Sequence, residues 1–352
     1  MLWHLPDSQR QAMGATVTAT DDMLMSEAEV DRLAFDFLRH HGLSEAQSTD
    51  MAAMLAGAQR DGARSHGLQR LPGTLDTMAH PAFRRDAVPR VEQVTPAVIR
   101  VDAGFGFSIS AARAGLPALI EGARALGIAL LAVNDGFHST ALWPVVEAVA
   151  AQGLAALSMN PTHDWVAPVG GVRPVLGTNP LAFAWPRAGK PPYVFDFATT
   201  AASRADIALH RQAGKPVPEG WGLDAEGRPT TDPAAILAGA MLPFGGHKGS
   251  ALATMIELLS GPFIGDRTSR QSAEFDQDHK AAPCHGELVI AFDPALLAGP
   301  EQMEAAEAML DSISDQGARL PGARRHGQRA RNLRDGIPVD RALLARIRSL
   351  MA

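Results

Sequence analysis

"AVIRVDAGFGFSISAARAGLPALIEGARALGIALLAVNDG", residues 97–136, decides the fold. Its hydrophobic pattern reads as a strand, "AVIRVDAGFGF", an Ala-rich helix, "SAARAGLPALIEGARALG", and a second strand, "GIALLAVNDG". A dinucleotide-binding unit would show its glycine fingerprint between such a first strand and its helix. "GFGFSI" from Gly104 begins that way, but Ile109 stands where the third glycine belongs. No acidic residue follows the second strand at the expected distance, so an ordinary Rossmann unit is disfavoured. "FGGHKGS", residues 244–250, has the order Lys-Gly-Ser and is therefore not a Walker A loop.

Upstream, the pattern is helical. "SEAEVDRLAFDFLRHHG" has apolar residues at 30, 33, 34, 37 and 38, Ser26 as cap with Glu29 three on, and Gly42 as its stop. "SEAQSTDMAAMLAGAQRDG" repeats the logic from Ser44 to Gly62. A third helix is expected over Ser65–Met78, kinked or broken at Pro72. Downstream come the helix "LWPVVEAVAAQG" and the strand "LAALSMN". The Pro/Gly-dense "APVGGVRPVLGTNPLAFAWPRAGKPP" then leads into the strand "YVFDFATT". Gly and Pro at this density hold backbone in particular turns, often around a ligand. A helix "DIALHRQAG", a long loop, the helix of "GGHKGSALATMIELLSG", a late strand "GELVIAFDP" and two closing helices follow. Strands and helices mix throughout, so the class is α/β or α+β.

The chain has 352 residues, a net charge of −6, 33 glycines, 25 prolines and few aromatics. That balance describes a loop-rich enzyme and disfavours nucleic acid or an anionic membrane as the main partner. The one cysteine, Cys284, permits no intrachain disulfide, and its setting, "AAPCHGE", offers little to activate a thiolate. Residues 1–22 lack the basic and apolar regions of a secretory signal and are expected to be an extension. No apolar run reaches the roughly 18 residues of a membrane span, and the expected location is the cytoplasm.

Within "RDGARSHGLQRLPG", residues 60–73, Ser65 beside His66 invites a hydrolase reading, and His66 with Arg70 a carboxylate site. No G-x-S-x-G elbow occurs. Helical neighbours diverge by about 100°, which places Ser65 and His66 poorly as nucleophile and base. There is no H-E-x-x-H and no cysteine–histidine cluster, so no metal is expected. His66 and Arg70, four apart, would share a helix face. Arginine offers a two-pronged clamp for a carboxylate and histidine a proton near neutral pH. His138 follows a strand, and Lys248 heads a helix whose N-terminus favours an anion. Taken singly, Arg70 as a surface ion-pair partner, His138 as a cap and "GGHKGS" as a tight turn remain open.

Together these segments resemble the malate/L-lactate dehydrogenase family that lacks a Rossmann fold, over about residues 26–335. The resemblance rests on "RSHGLQRLPG", "GFHSTALWPVVEAVAAQGLAALSMN", "APVGGVRPVLGTNPLAFAWP", "VFDFATTAASRADI", "PEGWGLDAEGRPTTDP" and "MLPFGGHKGSALA". "AQRDGARSHG", "ALWP" and "PFGGHKGSALA" are most similar to its Δ1-piperideine-2-carboxylate/Δ1-pyrroline-2-carboxylate reductase branch, toward which Trp143 and His247 lean. The resemblance implies an NAD(P)-binding and substrate domain with a largely antiparallel sheet (96–304). It also implies a helical domain from both chain ends (23–95 and 305–352), and a homodimer. It implies His66 as proton donor, with Ser65 and Asp206 orienting it, and Arg70, His138 and Thr178 binding substrate. Cofactor contacts fall on Asp196, Phe197, Ala198, Arg204, Ala205, His247 and Lys248. Arg324 and Arg325, in "PGARRHGQRAR", would hold the extra phosphate of NADPH, with NADH as the alternative and a solvated basic run as the plainer reading. The expected reaction reduces a cyclic imine 2-carboxylate to L-pipecolate or L-proline. A 2-hydroxy-acid dehydrogenase and, from another class, a Ser65/His66/Asp206 hydrolase are the alternatives. Phe137 departs from the branch, which often has a second histidine there, and Ser139 and Thr140 replace a more apolar pair. "NPTHDWVAP", residues 160–168, also differs from the usual stretch.

Overall fold

The computed structural model describes residues 21–352. The extension expected over 1–22 lies almost wholly outside the described residues, and its last residue, Asp22, already belongs to strand β1 (Asp22–Met25). Helices α1 (Glu27–His40) and α2 (Glu45–Arg60) start where the caps predict. The Ser26 hydroxyl accepts from the Glu29 amide and Glu29 answers at the Ser26 amide, so two orphan donors are satisfied locally. The expected third helix is different. Residues 64–66 and 68–70 form two short 3-10 turns separated at Gly67, and only α3 (Leu71–Ala79) is α-helical. Pro72 lies in its first turn, where a missing N–H costs nothing, so it neither kinks nor breaks a helix.

The decisive stretch becomes β3 (Val98–Asp102), α4 (Ser108–Leu126) and β4 (Ile128–Phe137), after a leading strand β2 (Arg90–Thr95). The first strand is shorter than its sequence suggests, because Gly104 and Phe105 turn with φ of 59° and 60°. A Cβ on Gly106 would lie 2.6 Å from Gln47 Oε1, and the Phe107 amide is bound by that oxygen. The turn that cradles phosphate in a Rossmann unit is thus filled by a side chain from α2. The rejected fingerprint has a physical counterpart.

Helix α5 (Trp143–Ala150) and strand β5 (Ala155–Met159) follow, then β6 (Leu181–Trp185) and β7 (Tyr193–Phe197). β6 lies inside the Pro/Gly-dense stretch, whose turn signals hide its alternation. Next come α6 (Arg204–Gln212), a small sheet of β8 (Gly222–Leu223), β9 (Pro229–Thr230) and β10 (Ala240–Met241), and α7 (Pro233–Ala238) among them. Helices α8 (His247–Ser260) and α9 (Ser269–Asp276) precede β11 (Cys284–Phe292). The main sheet has seven strands in the order β2-β3-β4-β11-β5-β6-β7, and only the β3–β4 pair is parallel. It is a mixed α/β fold with a largely antiparallel sheet, which connections this varied make possible. Among the described residues no helix is long and apolar enough to cross a membrane.

Four helices close the chain: α10 (Pro294–Ala298), α11 (Pro300–Ser314), α12 (Ala323–Asp335) and α13 (Arg341–Ser349), with β12 (Ile337–Asp340) before the last. α11 runs across the expected boundary at 305, and its Glu307 and Asp311 pair with Arg187 and Lys190 between β6 and β7. β12 pairs antiparallel with β1, from Asp22 opposite Asp340 to Met25 opposite Ile337. One buried cluster runs from Val30, Phe37 and Leu55 in the first helices to Val101, Leu131 and Val289 in the sheet and Ile347 in α13. A second cluster on the other face joins Ala132, Met159 and Leu288 to Ile256 of α8.

Charge clasps the two chain ends together beside this core. The Asp61 carboxylate, 1 % exposed, accepts from Arg60 Nε at 2.7 Å and Arg329 Nε at 2.8 Å. Arg329 Nη2 also reaches Glu147 of α5 at 2.6 Å. Removing the central carboxylate would leave two half-buried guanidinium groups facing each other. Asp61→Ala should therefore lower the unfolding free energy by about 3 kcal/mol, read as a lower urea midpoint at unchanged slope.

Candidate active site

The two 3-10 turns at 64–70 shape the centre of the site. Ser65 Oγ lies 3.2 Å from His66 Nδ1, so the neighbouring side chains meet, against the divergence expected of an α-helix. Arg70 Nε donates to the Ser65 carbonyl at 2.8 Å, which anchors the guanidinium beside the imidazole without a shared helix face. The Trp143 ring stands edge-on to His66, with centroids 6.0 Å apart. Burial first, then the positive charges of Arg70 and His138, push the His66 imidazole down to about 4. The structure thus gathers Ser65, His66, Arg70 and His138 into one electrostatic group. His66 alone is neutral at pH 7, and an anion seated on Arg70 would cancel one of the charges that suppress its proton.

His138 follows β4 and is largely buried. Its Nε2 lies 3.1 Å from the Thr140 carbonyl and its Nδ1 3.0 Å from Ser108 Oγ. Gly136 makes this approach possible, since a Cβ there would lie 3.0 Å from the Ser108 backbone. Phe137 instead faces the core, ringed by His80, Phe83 and Phe275, so it contributes packing and no polarity to the site. Thr178 is held by its amide on Thr162 Oγ1 at 2.9 Å, and its carbonyl accepts from the Thr199 amide at 2.9 Å. That contact ties the substrate-side loop to the end of β7.

Asp196 Oδ2 accepts from the amides of Leu142 and Trp143 at 3.0 Å each, capping α5 from a neighbouring strand. Burial raises its carboxyl above the usual range, against those amides and the charges of Arg325 and His138. Phe197 stacks on Phe195 with centroids 4.9 Å apart and remains exposed, beside a half-buried Ala198. Phe197 also meets Phe244, which leads into the turn before α8. There Gly245 and Gly246 take φ of 56° and 60°, leaving His247 and Lys248 exposed at the helix start. Arg204 stacks on Trp165 at 4.7 Å, and Ala205 is exposed next to it.

Arg325 lies over the opposite side of this group, its guanidinium 4.7 Å from the Trp143 ring centroid. Its Nε and Nη2 are buried and have no hydrogen-bond partner. Such a group has the donor geometry for a phosphate or carboxylate oxygen. Arg324 is exposed beside it. A hollow of about 180 Å³ adjoins, lined by Trp143, Asp61, Glu147 and Arg329.

Two expected members sit apart. The Asp206 carboxylate takes part in a capping box with Ser203, accepting from its hydroxyl at 2.8 Å, and does not serve the His66 imidazole within this chain. Cys284 is buried, and burial pushes its thiol far up, which removes it as a nucleophile. A serine hydrolase would need Ser65 on the imidazole nitrogen opposite its carboxylate. Here Ser65 occupies Nδ1 and Asp206 is engaged elsewhere. Trp143 and Ser108 are contacts that spacing does not reveal. Glu287, in the apolar "CHGELVIAF", carries a visible signal, a carboxylate inside a buried strand.

A redox enzyme of non-Rossmann build is the class that this fold and site define. The malate/L-lactate dehydrogenase family matches residues 25–348, and the chain belongs to that family of oxidoreductases. It is 50% identical over 334 residues to Delta(1)-pyrroline-2-carboxylate reductase 2 of Burkholderia multivorans, covering 94% of this chain and 98% of that one. It is 49% identical to the Delta(1)-pyrroline-2-carboxylate/Delta(1)-piperideine-2-carboxylate reductase of Pseudomonas aeruginosa, covering 93% and 99%. Among solved structures, delta1-piperideine-2-carboxylate reductase from Pseudomonas syringae superposes with a TM-score of 0.90 at 41% identity, covering 93% and 99%.

The electrostatics of the group make a direct prediction. Arg70→Gln removes one of the charges that suppress the His66 proton, so His66 should titrate at higher pH than in the wild type. Histidine NMR titration of both proteins checks this. An unmoved His66 would mean that Arg70 acts on it only through the backbone.

Proposed function

We propose that the protein reduces a cyclic imine 2-carboxylate with NADPH. Δ1-piperideine-2-carboxylate would give L-pipecolate and Δ1-pyrroline-2-carboxylate would give L-proline. The observation that carries this reading is the gathering of Ser65, His66, Arg70 and His138, in a chain about half identical to reductases named for these substrates. Arg70 pairs with the substrate carboxylate and fixes the ring. That pairing offsets its charge at His66, whose imidazole then takes up a proton and passes it to the ring nitrogen. Ser65 keeps the His66 ring turned by its contact at Nδ1. Thr178 and His138 border the substrate, and Asp206 enters the orienting set only if a second subunit brings it there.

The unpartnered donors of Arg325 fit a phosphate oxygen, and Lys248 at the start of α8 and exposed Arg324 add charge to the same end. Asp196, Phe197, Ala198, Arg204, Ala205 and His247 complete the cofactor contacts. Bound reduced nicotinamide supplies the hydride equivalent. NADPH is favoured over NADH because this end of the site has a buried guanidinium to spare. In this reading the enzyme is a cytoplasmic homodimer of a helical unit (23–95 and 305–352) and a cofactor and substrate unit (96–304).

The test follows nicotinamide absorbance with both cofactors against the two imines, pyruvate and oxaloacetate. Oxidation with the imines alone is the expected result. Turnover confined to the 2-oxo acids would make the protein a hydroxy-acid dehydrogenase. His66→Ala should lower kcat by about 10² to 10⁴ while leaving cofactor affinity in place. Arg325→Ala should raise the KM for NADPH about tenfold and move the imine KM far less.

A further inference from the structure

Behind His138 lies a carboxylate that the reaction above does not use. Glu287 sits on β11, the strand between β4 and β5, and its side chain is 2 % exposed. The register of β11 against β4 shifts between His285 and Glu287, at the level where β4 hands over to His138. Ser158 Oγ donates to Glu287 Oε1 at 2.9 Å. Oε2 lies 3.6 Å from His138 Nδ1, and His138 is its ion-pair partner among the described residues. A carboxylate this deep is costly unless a cation answers it.

We propose that Glu287 is a positioning residue for His138: its buried carboxylate is the counter-charge that lets this imidazole hold protons on both nitrogens, fixed in orientation at the substrate pocket. The hydrogen-bond pattern fits that state. Nε2 faces the Thr140 carbonyl, an acceptor only, so Nε2 carries a proton. Nδ1 faces Ser108 Oγ and the Glu287 carboxylate, both able to accept a second one. The other ionisable groups around the ring do not compete for this role. Asp196 spends Oδ2 on two backbone amides. His285, with its ring centroid 5.5 Å away, is held well below the usual imidazole range by burial and then by the charge of His138. His66, in front, is suppressed by burial, Arg70 and His138 itself. Glu287 therefore acts two residues removed from the chemistry: it sustains the charge at His138, and that charge sharpens the acidity of His66.

The inference rests on the proposed function only in that His138 borders the substrate, and its first readout needs no substrate. The experiment is nitrogen NMR of the histidines in the full-length protein near pH 6.5, for wild type, Glu287→Gln and Ser158→Ala. The expected result is a wild-type His138 with both ring nitrogens protonated. E287Q should lose the proton at Nδ1, because the new amide can donate to that nitrogen, and should keep the one at Nε2. S158A removes the other bond to Glu287 but not its charge, and should keep the wild-type signature. In kinetics, E287Q should raise the imine KM about tenfold, the cost of one charged hydrogen bond, with the cofactor KM unmoved. A His138 unprotonated at Nδ1 in the wild type overturns the proposal, and this measurement decides even if E287Q fails to fold. Equal losses in E287Q and S158A would assign Glu287 to packing and overturn it as well. An inactive enzyme with the expected nitrogen signals would instead count against the proposed reaction.

Discussion

Everything in the molecule depends on one strand pairing: β11, contributed late in the chain, wedged antiparallel between β4 and β5. It closes the middle of the sheet and buries both neighbours on two faces. It also sets the floor of the site. The Pro283 carbonyl just before it accepts from the His138 amide at 2.8 Å, and Glu287 lies beneath the same ring. Polar groups survive at this depth because each is bound in turn: Asn160 beside His285, Ser158 on Glu287, Ser108 on His138. A parallel Rossmann sheet has no equivalent central insertion, and its phosphate-binding turn would sit where Gln47 now plugs the chain.

The second organising theme is positive charge applied to a histidine that is kept neutral. Arg70 and His138 flank His66, Trp143 closes one edge, and Arg325 stacks on the far side of the same tryptophan. Such a site repels a proton until an anion arrives. Substrate recognition and proton delivery are then one event, because the carboxylate that Arg70 binds also relieves the field on the imidazole. This economy explains why few groups suffice and why the arginine and the histidine lie so near each other in sequence.

What could be read from the sequence follows the range of the interactions. Ser26 with Glu29 and Ser44 at a helix start act within one turn, and their signatures were legible. The seven-stranded sheet was legible as strands but not as an order, because β11 and β4 are far apart in the chain. β6 hid among prolines that flank it. The turn at 64–70 defied its helical spacing because Gly67 adopts a backbone conformation outside the helix, φ −93° and ψ −142°. Trp143 under Arg325 and Gln47 inside the β3–α4 turn are contacts between distant segments, which no local period encodes. Asp206 shows the opposite hazard. Its capping box with Ser203 is a local pattern that was present in "SRADI" all along, and it claims the carboxylate before any distant partner can.

The pairing of β1 with β12 has a consequence for how the molecule is made. A ribosome releases Asp22–Met25 first and Ile337–Asp340 almost last, so the first helices wait for the end of synthesis to gain their partner. The same delay affects β4, whose apolar faces stay open until Cys284–Phe292 emerges. Contacts this remote in sequence close slowly. The nascent chain therefore passes through a long interval as a half-built sheet with sticky edges, and shielding by chaperones during that interval governs its yield more than the stability of the finished protein does.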